Sequence, residues 1–417
     1  MSRSHTGFAL FMLLLLIAPQ IPIRIPGGIE KSCVSLGLAG LIIWFFANPK
    51  KMFFPPRIGA WHPLFWILIF TAYVFVVSLL SGSMVSIAYS LQYLLYVVLG
   101  TILMKQYGSN FANMNCKRAR SILFAIGIVF SIGIVVSLFT GPIYPHQVRA
   151  TQRHWEGLTI QQGVGFSESQ NIAGPVVIFF LAACTYMYHR KIWKKWILLT
   201  LLLSGLLATL SRGAIFSFGL ALAFVFCLDS VDLFVQRAGI KVSLLKNVGF
   251  LAFTAACLVI PTIVVIYWTN KPLLRALLSG FGLSQGYSVV SSDASLRFGH
   301  WAWGLNTWAS GNLLKMLFGG GFRSSMVAAD YGAWKDAHNM YITILGDFGI
   351  VGLTLFLGAL FGAFFRYARL FLTDKAGRAE RFGLMALLAL SIDNMTGPYF
   401  YSPICLSLLI FVFAVTL

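Results

Sequence analysis

Residues 336–353 read DAHNMYITILGDFGIVGL, a polar loop that turns within a few positions into an apolar segment running on past Leu353. From Tyr341 to Phe365 the only charged side chain is Asp347. An apolar run of that length is a membrane span, since crossing a bilayer takes about 17–25 residues. His338 sits at its mouth. The whole chain carries the same signature: of 417 residues, 58% are hydrophobic and 10% charged, which is too apolar for a soluble domain of this size. The bilayer must be the solvent.

Apolar runs of roughly crossing length place spans at Phe8–Ile25, Ser32–Ala47, Trp61–Leu80, Met84–Met104, Ser121–Thr140, Ile172–Tyr188, Trp196–Leu210 and Gly213–Leu228. Four more follow at Val248–Trp268, Tyr341–Phe365, Phe382–Met395 and Pro403–Leu417. The expected fold is therefore all-α, a polytopic membrane protein of about twelve helices. The first run lacks the small-residue cleavage site of a signal peptide and reads as a retained helix.

Orientation follows from the positive charge. With a cytoplasmic N-terminus, the inward-facing segments hold 20 of the 31 Lys and Arg, among them Lys50, Lys51, Lys117, Arg118, Lys194, Lys195, Arg378 and Arg381. Both termini are then cytoplasmic, and two long segments, 141–171 and 269–339, lie outside. The net charge of +19 sits mostly in short inside loops, where topology and anionic headgroups account for it, so nucleic acid is set aside as a partner. Neither outer loop contains any of the six cysteines, which leaves no disulfide framework. Residues 1–417 read as one membrane domain, with the 269–339 loop as its large external part.

External cations run against the orientation bias, so each needs its own reason. In HQVRATQRHWEG, Arg149 and Arg153 are four apart and share a face if that loop is helical. Arg212 lies in a Ser-Arg-Gly junction that joins two spans by a tight turn. Arg297 precedes a stripe of His300, Trp301, Leu305 and Trp308 at helical spacing, which reads as an amphipathic interfacial helix. His338 completes the group. Each has a structural reading beside the functional one: arginines at span ends snorkel, tryptophans form interfacial belts, and a lone histidine is often a hydrogen-bonded scaffold residue. His300 takes the structural reading.

Taken together they suit an anionic substrate. Guanidinium forks grip phosphate oxygens in pairs and stay charged, and an imidazole, with a reference pKa of about 6.5, can take a proton from a hydroxyl near neutrality. These parts describe glycosyl transfer from a lipid diphosphate. External carboxylates are few and form no DxD-like pair, so the reading calls for no metal and no cofactor. Nine residues separate His338 from Asp347, which puts them on opposite faces of a straight helix and argues against a dyad. Asp336 could reach His338 only through loop geometry, and Asp393 has no evident purpose. A transporter of a lipid-linked or anionic solute is the alternative of another class, but it would place its ionisable groups along a mid-membrane path.

The Ser211-Arg212-Gly213 turn, the Arg297 helix with Trp301, LFGGGF at Leu317–Phe322 and the AHNMYITILGDFGIVGL stretch together resemble the O-antigen ligase and polymerase superfamily. Its members typically show an arginine at such a turn, a second in the large external loop, and an H-N-x-Y/F-L-like stretch followed by an acidic residue and two glycines. The resemblance covers the order of elements from Asn171 onward. GFSESQNIAG is similar to an element found before the sixth span in relatives, but lacks their proline before Asn171.

The resemblance implies a GT-C-like bacterial inner-membrane glycosyltransferase working on the periplasmic face. Its donor would be an undecaprenyl-diphosphate-linked O-antigen glycan, its acceptor lipid A-core, and its product lipopolysaccharide. By the same analogy His338 would be the general base and Arg212 and Arg297 would bind the diphosphate, with Arg149 and Arg153 as further candidates for that charge. Direct displacement would invert the anomeric centre. The moderate loop, with no soluble domain after the last span, makes the ligase the expected activity and the polymerase, which uses the same donor, the nearest alternative.

Overall fold

The computed structural model describes residues 20–24, 31–35, 62–112, 117–143, 152–155, 158–161, 163–167, 170–188, 192–209, 211–238, 300–324, 327–328, 334–335, 337–372, 377–397 and 402–414, with a few isolated positions before 47. The expected span Val248–Trp268 lies outside them, as do Arg149, Arg297 and Asp336.

Ten helices can be bounded. They are α1 (Pro63–Leu80), α2 (Met84–Ala112), α3 (Lys117–Thr140), α4 (Gln170–Met187), α5 (Ile192–Ala208), α6 (Arg212–Ala238), α7 (Leu313–Phe318), α8 (Met340–Leu372), α9 (Arg378–Asp393) and α10 (Pro403–Ala414). A further helical stretch covers residues 300–309. The apolar stretches Pro63–Leu80, Met84–Ile102, Ser121–Thr140 and Met340–Phe371 are long enough to cross a membrane, and shorter ones run through Ile172–Met187, Gly213–Leu228 and Ile404–Ala414. The bundle also turns large apolar side chains outward, among them Trp196 at 64%, Phe216 at 66%, Phe226 at 68% and Phe365 at 54% exposure. Water would not tolerate so many; hydrocarbon does. The chain is a helical membrane protein.

Local chemistry sets the helix ends. Pro63 opens α1, where a missing N–H costs nothing, and the His62 Nδ1 accepts from the Leu64 amide at 3.1 Å. The Ser81-Gly82-Ser83 turn, with Gly82 at φ +66°, then returns the chain into α2. At the centre of the bundle stands α4, in contact with α3, α5, α6, α9 and α10. Every residue from Val176 to Cys184 is fully buried, as expected of a helix that is apolar all round. Phe179 anchors it, meeting Phe180, Phe382 of α9 and Phe411 of α10 edge to face at 5.4–5.5 Å.

The helical frame agrees with the all-α expectation, while three short ribbons accompany it and correct two expectations about particular segments. The described residues are not all helical: β1 (Gln20–Arg24) pairs antiparallel with β2 (Lys31–Ser35), β3 (Gln152–Trp155) with β4 (Leu158–Gln161), and β5 (Val327–Ala328) with β6 (Trp334–Lys335). The first ribbon cuts across the expected first two spans. Pro19, Pro22 and Pro26 remove amides that a helix there would need, and Gly27 and Gly28 disfavour a helix in the same stretch of sequence. The second ribbon puts Arg153 on a strand, so it shares no helical face with Arg149; only Glu156 and Gly157 separate β3 from β4, a hairpin spacing. The long helix α8 is itself not straight, and its break lies beyond Asp347.

The break in α8 falls at Gly349, with φ +66° and ψ −170°. The backbone amides of Gly320 and Gly321 both donate to the Asp347 carbonyl at 3.0 Å, so that oxygen faces the 319–324 loop. The Arg323 amide adds a bond to Asp347 Oδ2 at 2.8 Å, and Ser324 Oγ lies 3.5 Å from Oδ1. Gly319, at φ +82°, lies so close that a Cβ there would collide with the Asp347 carbonyl and Phe348. Only glycine fits both the angle and the space. Tyr73 of α1 seals the junction, its hydroxyl 2.8 Å from the Phe318 carbonyl and 2.9 Å from that of Phe348.

Candidate functional site

His338 stands one residue before Asn339, which caps α8 with its side chain. Asn339 Oδ1 accepts the amides of Tyr341 at 3.0 Å and Ile342 at 3.2 Å. The Asn339 carbonyl accepts both the amide and the hydroxyl of Thr343, at 2.9 and 2.8 Å. Between buried Ala337 and buried Asn339, His338 is half-buried and adopts φ +45°. That left-handed conformation costs a non-glycine residue about 1–2 kcal/mol, so the surroundings must hold it. They aim the ring at His300, edge to face, with centroids 4.8 Å apart.

The 300–309 helix is itself fixed against the mouth of α8. Gly304 has room for no side chain: a Cβ would lie 2.8 Å from the Ile342 side chain and 3.0 Å from that of Ala337. On the same helix the Trp308 indole N–H donates to the Met316 carbonyl at 3.0 Å. Leu305, expected on the stripe of an interfacial helix, is 42% exposed, and the face packed against the protein runs through His300 and Gly304.

A second tie joins the α8 mouth to the end of α9. The Met340 amide donates to the Asn394 carbonyl at 2.9 Å, and the Tyr341 hydroxyl to the Ser391 carbonyl at 2.8 Å. The turn that ends α9 is closed by Thr396, whose amide and hydroxyl both bond the Asp393 carbonyl at 2.8 Å. Against this turn lies Gly213. A Cβ on it would clash with Thr396 Oγ1 and sit 3.1 Å from Asp393 Oδ1.

Arg212 is the first residue of α6, and three residues separate it from the end of α5 at Ala208, so the connection through Ser-Arg-Gly is short. On its other flank, Gly174 near the start of α4 approaches Ala214 and Ser211 so closely that a Cβ would meet Ala214 at 2.6 Å and Ser211 at 3.6 Å. The N-termini of α4, α6 and α8 thus converge around the C-terminal turn of α9. Helix N-termini carry partial positive charge, and here they surround the turn that holds the fully buried Asp393.

The five residues expected to carry the chemistry fare differently. His338 is fully described and faces His300. Arg212 is described by its backbone and lies beside the Asp393 turn; Arg153 is described only as part of β3. Arg149 and Arg297 lie outside the described residues. Asp347 does not orient His338: its carboxylate is buried and serves the 319–324 loop. The glycines of LFGGGF therefore press on the protein's own helix.

Three residues have a place at the site that sequence reasoning did not assign them. Asp393 is fully buried at the turn that meets Gly213; a charged residue at the end of an apolar run beside a polar Asn-Met-Thr stretch was its only signal. His300 was read as structural, although its spacing placed it on the inward face. Arg323 went unremarked, yet its guanidinium lies 4.2 Å over the Tyr89 ring, which in turn stacks on Phe322 at 5.6 Å. Comparison with protein-family models finds no match, and comparison with curated protein sequences finds none either.

Proposed function

We propose that the chain is an O-antigen ligase of the ligase and polymerase superfamily, transferring glycan from undecaprenyl diphosphate to lipid A-core on the periplasmic face of a bacterial inner membrane. One observation carries the reading: the strained, held imidazole of His338 and the Arg212 turn flank the same end of α9, linked through Met340–Asn394 and Gly213–Asp393. A base and a cation at one helix mouth suit a reaction between two lipid-borne substrates, whose tails stay in the bilayer while their sugars meet outside it.

The chemistry follows from those roles. An acceptor hydroxyl oxygen attacks the anomeric carbon while a His338 ring nitrogen takes its proton. The bond from that carbon to the phosphate oxygen breaks, and its electron pair leaves with the diphosphate. Arg212, the converging helix N-termini and Arg297 neutralise that leaving charge. Packing against His300 fixes the ring plane of the base, and the Asn339 cap fixes where its backbone enters α8. Attack opposite the leaving group inverts configuration and leaves no glycosyl-enzyme intermediate.

Product analysis tests this. Purified protein is supplied with undecaprenyl-diphosphate glycan of known anomeric configuration and with lipid A-core, and the new linkage is read by NMR. An inverted linkage on lipid A-core is expected. Glycan lengthened on the lipid donor would mean a polymerase, and a retained configuration would remove His338 from the role of base in a direct displacement.

A further inference from the structure

At the end of the bundle opposite His338, the last turn of α4, the first turn of α5 and the start of α9 border an open cavity of about 470 Å³. Thr185, Tyr186, Tyr188, Lys195, Gly377, Arg378 and Arg381 line it. The 16 residues of α9, at 1.5 Å each, put it about 24 Å from the Asp393 turn. It is separate from the site described above.

The lining is cationic by construction. Lys195 is held in place by donating to the Thr185 carbonyl at 2.6 Å. The Arg381 guanidinium lies 5.3 Å over the Phe371 ring, which sets its plane. Arg378 stands exposed at the rim. Among the described residues, the nearby carboxylate of Glu380 turns back toward Gly377, where a Cβ would meet its Oε2 at 2.9 Å. Three cations thus border a space large enough for a ligand, and among the described residues no carboxylate lines it. Pocket volumes of roughly 300–1,000 Å³ are usual for small-molecule sites.

We propose that this cavity binds a phosphate group, with two arginines and a lysine sharing its oxygens. Arginine forks suit phosphate in pairs and lysine adds a point charge. The surroundings favour the headgroup of an anionic phospholipid: on α5, Trp193 and Trp196 flank Lys195 at 54% and 64% exposure, the habit of indoles at headgroup depth. A soluble phosphate ester would offer the same chemistry, and the experiment separates the two.

The full chain is purified in detergent, and retention of phosphatidylglycerol is followed by native mass spectrometry across a lipid titration, with phosphatidylcholine as reference and glycerol phosphate as soluble competitor. Wild type retains phosphatidylglycerol selectively. The Arg378→Gln/Arg381→Gln variant and, separately, Lys195→Gln weaken retention, the double variant by about tenfold or more. Lys194→Gln, outside the lining, leaves it unchanged. Glycerol phosphate that displaces the lipid in wild type but not in the variants would keep the phosphate site and assign it a soluble ligand. Equal retention by wild type and by both folded lining variants would overturn the proposal; unchanged thermal melting certifies the fold.

Discussion

The amide of Met340 donates to the carbonyl of Asn394 at 2.9 Å, so the mouth of α8 hangs from the last turn of α9. Through that bond His338, two residues before Met340, shares a frame with Asp393 and with Gly213 packed against it. The site is built across segments that lie more than a hundred residues apart in the chain.

The Asn339 cap is expected to matter twice. Asn339→Ala removes the acceptor for two α8 amides and should cost about 1 kcal/mol of stability, with a larger proportional loss of glycan transfer because the base loses its anchor. Asn339→Asp keeps the acceptor and should restore most of both. Thermal melting and transfer rates measured together check this.

His338 pays for its position with backbone strain. His338→Gly should leave the protein as stable as wild type or more so by about 1 kcal/mol, while transfer falls by roughly 10²–10⁴, the range for losing a general base. A variant both destabilised and active would contradict the role given to His338.

Gly319 is required by space as well as by angle. Gly319→Ala drives a methyl into the Asp347 carbonyl at φ +82°, which should destabilise by about 3 kcal/mol and loosen the Arg323 loop. Gly362, with open space around it, serves as the control: Gly362→Ala should be tolerated. The comparison is read as a difference in melting temperature.

Arg212 is assigned a charge role that needs its fork. Arg212→Gln should lower transfer on the order of a hundredfold or more, and Arg212→Lys should recover only part of it, because a point charge cannot grip two oxygens. Equal rates for the Lys variant and wild type would reduce the role to simple charge.

Much of the helical frame was legible from apolar runs with clear ends. Met84 and Pro403 open α2 and α10 where hydropathy says they should, and α6 starts one residue before the expected Gly213. Polarity carries that information locally. The break at Gly349 was not legible, because the residue is bent by a loop some thirty positions upstream whose amides take the Asp347 carbonyl. The ribbons were written in prolines and in a two-residue Glu-Gly spacing, signals outweighed by the surrounding hydrophobicity.

At the site, Asp347 does not meet His338, as expected, but helical phase is not the reason: His338 stands outside α8, before its Asn339 cap, and the Asp347 carboxylate is taken up by the 319–324 loop. Spacing assigned no role at the site to His300 or Asp393. Contacts between distant segments leave no periodicity to read.

The most direct test of the central claim is transfer itself. Wild-type protein and His338→Ala are given undecaprenyl-diphosphate glycan and lipid A-core without divalent metal, and the mass added to lipid A-core is followed. Transfer by wild type that collapses in the variant is the predicted result. Undiminished transfer by folded His338→Ala, or no transfer by wild type to any acceptor, would contradict the account.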